Sequence, residues 1–86
     1  MRLLGKDKLQ IPLDNDARLW LCSWISELSA AHWKGAADLL TQFPRATVAG
    51  PDTFIFRVGG AVWVIELVVH FPQGIALIVG IERAAS

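Results

Sequence analysis

The sequence predicts an α+β domain in which two helices pack on one face of a small antiparallel sheet, in the order β-α-α-β-β-β. Three observations carry that prediction. Apolar residues recur at spacings of three and four between Ala17 and Leu28. From Thr53 onward, β-branched and aromatic residues dominate and alternate with a period of two. With 86 residues the chain is read as a single domain, 1–86, because two cores would each be too small to hold.

Leu3-Leu4 is a short apolar start, read as an edge strand. Asp14-Asn15-Asp16 is a helix start, because short polar side chains cap orphan N–H groups and their charge suits the positive end of the helix dipole. Ala17, Trp20, Leu21, Trp24, Ile25 and Leu28 then form one stripe, which predicts a first helix from Asn15 to Ala30. His32-Trp33-Lys34-Gly35 breaks the pattern, and a second helix runs from Ala36 to about Gln42 with Ala37, Leu40 and Phe43 inward. Pro44 closes it, since the residue before proline disfavours helical dihedrals. Gly50-Pro51-Asp52 is a turn. Thr53–Val58 alternates, Gly59-Gly60 supplies a hairpin, Val62–Phe71 is the longest strand, and Ile75–Ile81 returns after Pro72-Gln73-Gly74.

Alternation puts Trp63, Ile65, Leu67, Val69 and Phe71 on the face toward the helices, and Val64, Glu66, Val68 and His70 on the other. That other face, with Ile55, Leu77 and Val79 added, is apolar where a solvated face would be polar. It implies a cover: a partner protein, a second subunit or the chain's own ends. Ile55, Val64, Val68, Leu77 and Val79 are therefore the candidate partner-binding residues.

Composition narrows the function classes. Apolar residues are 53% of the chain, enough buried surface to exclude disorder. Lys and Arg total 8, as do Asp and Glu, so a strongly basic nucleic-acid binder is excluded at this level. A single cysteine, Cys22, rules out an internal disulfide framework and a multi-cysteine zinc site, and it reads as a buried structural thiol. No cofactor and no metal are expected. Lys6, Asp7 and Lys8 follow Met1–Leu4 too soon for an apolar leader, so the cytoplasm is the expected location. No membrane partner is expected: the apolar stretch Val58–Ile81 is interrupted by Glu66, His70 and Pro72-Gln73-Gly74.

Trp24, the run Trp33-Lys34-Gly35-Ala36-Ala37-Asp38-Leu39, the segment Gln42-Phe43-Pro44-Arg45-Ala46-Thr47-Val48 and Phe56-Arg57-Val58-Gly59-Gly60 together resemble the HigB toxins of bacterial type II toxin–antitoxin pairs. The similarity in order and spacing covers about Met1 to Ile81. The resemblance implies the RelE-like fold and messenger-RNA cleavage, typically on the ribosome, by an mRNA endoribonuclease held in check by a helix-turn-helix antitoxin. The chain departs from the family where its cations stand. The hairpin arginine, the second basic residue and the last-strand arginine map onto Val64, Val68 and Val79, and Glu82-Arg83-Ala84 replaces the terminal Gly-Thr-His. Phosphate binding rests on Lys and Arg, so losing three cations weakens RNA binding by several kcal/mol, at roughly 1–2 per charge-assisted contact.

Arg57, Glu66 and His70 are the candidate catalytic residues, since attack by a 2′-hydroxyl needs a base, an acid and a cation for the phosphorane. Solvated relief of an apolar face is the simpler account of all three. Lys34, Arg45 and Arg83 are the candidate RNA contacts. Two functions follow: a HigB-like toxin that cleaves mRNA, or a catalytically degenerate homologue that binds protein through the apolar sheet face. The expected partners are a cognate antitoxin or a homo-dimer, with mRNA or the ribosome for the first function.

Overall fold

A computed structural model describes residues 1–10, 12–58 and 63–83. The elements are β1 (Arg2–Leu4), a 3-10 turn at Lys6–Leu9, α1 (Asn15–Ala30), α2 (Ala36–Gln42), β2 (Thr47–Val48), β3 (Thr53–Arg57), β4 (Trp63–His70), a 3-10 turn at Phe71–Gln73 and β5 (Ile75–Arg83). The strands form one sheet in the order β1-β5-β4-β3-β2. β1 runs parallel to β5 and every other pair is antiparallel, so the sheet is mixed rather than wholly antiparallel. Both helices pack on one face, which is the α+β arrangement expected.

The Asp14 carboxylate accepts from the Ala17 amide at 2.8 Å and starts α1 at the expected residue. Ala17, Leu21, Trp24 and Leu28 are buried along its stripe, and Trp20 and Ile25 lie half-buried beside it. At the far end of α1, the amino group of Met1 donates to the carbonyls of Ser29 and Ala31, at 3.3 and 2.7 Å. A positive charge there suits the negative end of the helix dipole. In α2 the buried residue is Leu39, with Leu40 half-buried and Ala37 exposed. This corrects the expected inward set: a helix of 7 residues shows the sheet less than two turns, and Trp33 and Phe43 close its ends. The Trp33 indole N–H donates to Gln42 Oε1 at 2.9 Å, tying the entrance of α2 to its exit.

Aromatic rings join the helices to the sheet. Trp20 stacks on Trp24, which meets Phe56 edge-on at 5.3 Å; Phe56 in turn meets Phe43, and Phe43 meets Trp33. Such pairs add about 0.5–1.5 kcal/mol each beyond the area they bury. Phe54, Phe56, Ile65, Leu67, Val69, Ala76 and Ile78 complete the core from the sheet side.

Two departures from expectation, one in a strand and one in a helix, matter below. The return strand extends to Arg83, and its register with β4 shifts between Glu66 and Leu67. Leu67 pairs with Ile78 while Glu66 pairs with Gly80, so Val79 is the extra residue of a β-bulge. The second departure is Cys22, which is exposed rather than buried because it lies off the α1 stripe. The Gly59-Gly60 hairpin, Ala61, the first residue of the expected strand at Val62, and Ala84 fall outside the described residues.

Candidate functional site: the helix-free sheet face

Strand register lays the residues of the uncovered face out in rows. Arg2, Ile75 and His70 form the first row, across β1, β5 and β4. Leu4, Leu77, Val68 and Thr53 form the second, which reaches β3. Gly80, Glu66, Ile55 and Thr47 form the third, with the bulged Val79 beside Gly80. Glu82, Val64 and Arg57 form the fourth. Parity holds along β4: Ile65, Leu67 and Val69 are buried under the helices, while Val64, Glu66 and Val68 are half-buried on the open side and His70 is exposed.

The face is apolar at its centre. Leu4, Leu77 and Val79 keep 39%, 40% and 43% of their surface exposed, and they are three of the five large hydrophobics exposed at that level among the described residues. Ile55, Val64, Val68 and Ile75 lie half-buried among them. All five expected partner-binding residues stand on this face. Leu4 and Ile75 join them, and both escaped the sequence reading. Ile75 was within reach of alternation with Leu77, whereas Leu4 depends on the parallel pairing of β1 with β5, which no local pattern encodes. Gly80 interrupts the surface: a Cβ built there meets no atom within 4 Å, so the face has a notch beside Glu66.

Arg57, Glu66 and His70 share the face but do not converge. Glu66 and His70 are four residues apart on β4, about 13 Å, and Arg57 and His70 lie three rows apart, about 20 Å. A base and an acid serving one phosphodiester must both lie within hydrogen-bond reach of it. Arg57 and Glu82 sit at opposite ends of one row and Arg2 at the far corner, whereas Glu66 stands among the apolar residues, between Val64 and Val68 and beside Ile55.

The candidate RNA contacts are scattered. Lys34 precedes α2, where its backbone N–H donates to Asp38 Oδ2 at 2.8 Å. Lys34 borders a recess shared with Met1, Arg2, His32 and Gly74. Arg45 follows α2 and is exposed. Arg83 lies at the opposite end of β5 from Gly74, about 26 Å along the strand, with its guanidinium 5.6 Å from the Trp63 ring centroid.

Elsewhere, Leu9, Pro12, Leu13, Leu21 and Ile25 line an open groove between α1 and the first 3-10 turn. The Arg18 side chain spans one end of it, donating to the Leu13 carbonyl at 3.2 Å. The groove offers no nucleophile or acid–base pair. Among the described residues no set of three or more His, Cys, Asp or Glu side chains could hold a metal ion. Among them, too, no helix is long and apolar enough to cross a membrane.

The sequence matches no protein-family model and no curated protein.

Proposed function

We propose that this chain is a HigB-like component of a toxin–antitoxin pair, on the toxin side, and that it acts by protein association across the helix-free sheet face. The observation that carries the reading is the cluster of Val64, Val68, Leu77 and Val79 on the face where the resemblance calls for cations. A face built to grip RNA carries Lys and Arg for the phosphates. A face built to bind protein carries a desolvated apolar centre within a polar rim. Apart from Glu66, which stands among the apolar residues, the rows described above have the second composition. The partners this reading names are a helix-turn-helix antitoxin or a second copy, in the cytoplasm.

Messenger-RNA cleavage is the second reading, favoured by one observation: the only ionisable residues of β3 and β4 all stand on this face. In that chemistry a base removes the proton of the 2′-hydroxyl and the oxygen attacks phosphorus. An acid protonates the departing 5′-oxygen, and Arg57 stabilises the phosphorane. The row spacing separates the three groups that would share these tasks.

A translation extract distinguishes the readings. With the full chain in large excess, messenger RNA is expected to stay full length. Cleavage that disappears in both Glu66→Gln and His70→Gln variants would replace the association reading with the nuclease.

A further inference from the structure

We infer that a second copy of this chain covers the helix-free face, about a two-fold axis running across the strands along the Leu4–Leu77–Val68–Thr53 row. This rests on reading the face as an association surface, and it names the occupant. The argument is self-complementarity, which an isologous interface requires. A two-fold along that row sets each residue of the row against its own copy, so apolar meets apolar. It also sets every residue two positions to one side of the row against the residue two positions to the other side.

On β4 those positions are Glu66 and His70. Each carboxylate therefore faces the partner's His70, whose ring N–H donates to it in either protonation state. On β5 the positions are Gly80 and Ile75, Gly80 taking the place beyond the bulge. Each Ile75 side chain then lies over the notch that Gly80 leaves open. Charge on β4 and shape on β5 thus fit about one axis. Glu82, Val64 and Arg57, in the fourth row, fall outside the overlap, and Arg57 and Glu82 keep their water.

The area suffices for a small interface. Three rows about 6.7 Å apart across four strands about 4.8 Å apart give roughly 400 Å² of projected sheet per copy, and corrugated side chains bring the buried total near the roughly 1,000 Å² of the smallest specific interfaces. A formal net charge of zero leaves little overall repulsion to oppose it.

Sedimentation velocity of the full chain over a range of micromolar concentrations tests this. The expected result is a monomer–dimer equilibrium that Leu77→Lys abolishes. Gly80→Leu, which fills the notch without touching the core, weakens it. Glu66→Lys and His70→Glu each raise the dissociation constant at least about tenfold, and the double variant, which restores opposite charges across the axis, recovers most of the loss. The recovery cannot arise within one chain, where the two side chains stand about 13 Å apart. A chain that stays monomeric throughout, a dimer indifferent to Leu77→Lys, or a double variant no better than the singles overturns the inference. None of these results alters the messenger-RNA outcome on which the association reading stands.

Discussion

At the scale of single residues, Trp24 is the most constrained side chain of the core. It is 1% exposed, stacked on Trp20 and edge-on to Phe56, and its indole N–H has no hydrogen-bond partner among the described residues. An unpaired buried donor costs about 1–3 kcal/mol, which the ring's packing has to exceed. Two substitutions bracket the worth of the ring. Trp24→Ala is expected to lose about 3–5 kcal/mol of unfolding free energy, the usual cost of emptying a large aromatic site. Trp24→Phe removes the unpaired donor together with part of the volume, and is expected to cost under about 1.5 kcal/mol. Urea denaturation of both variants checks the difference, and equal losses would show that a phenyl ring recovers none of the packing. The helical stripe made Trp24 readable as core, because a spacing of four from Trp20 allows little else. The side of the helix taken by Cys22 was less readable: the stripe's edge is one residue wide, and small shifts in helix rotation decide whether a thiol is covered.

At the scale of elements, two joints fix the open face. Gly5 sits between β1 and the first 3-10 turn with φ of 83°, and a Cβ there would fall 2.5 Å from the carbonyl oxygen of Ile78. Gly5→Ala therefore meets both a left-handed backbone and a rigid obstacle, and is expected to cost more than about 2 kcal/mol, read as a lowered urea midpoint. The local signature should be faster amide exchange in β1, since that strand docks on β5 through this joint. The second joint is the bulge. Strict alternation through β5 would put Ile81 on the open side with Leu77 and Val79. The extra residue at Val79 returns Ile81 to the core, where it pairs with Ile65. Deleting Val79 is expected to close the bulge and keep the pairing on both sides of it, with Ile81 still inward and Glu82 outward, at a cost under about 2 kcal/mol. A thermal melt lowered by much more than about ten degrees would contradict this. Helix boundaries were legible because caps and stripes are local. The bulge was not, although Gly80 inside a strand pattern was the available signal. β2, two residues long, is too short to leave a pattern.

At the scale of the whole molecule, the distribution of charge over the open face decides what the fold can bind. Returning the cations tests this directly. A Val64→Arg/Val68→Lys/Val79→Arg variant is expected to bind single-stranded RNA at low salt at least tenfold more tightly than wild type, at roughly 1–2 kcal/mol per contact. Its salt dependence should steepen by about 0.7 in log–log slope for each phosphate engaged. Fluorescence anisotropy across a salt series measures both, and an unchanged affinity would mean that the face does not meet RNA even when charged. Alternation made Val64 and Val68 legible as members of the open face. The separation of Glu66 from His70 was legible, since four positions on one strand span about 13 Å; where Arg57 stands relative to them was not, because that depends on which residue of β3 stands beside which residue of β4. Only the ladder itself, Ile55 beside Glu66 and Arg57 beside Val64, fixes that. The two margins of the sheet carry a last consequence. They are strands of 3 and 2 residues, so they present few free backbone groups for another chain to extend. Crowding such a molecule should saturate at a finite particle size instead of seeding fibrils, because growth edge to edge has almost no template.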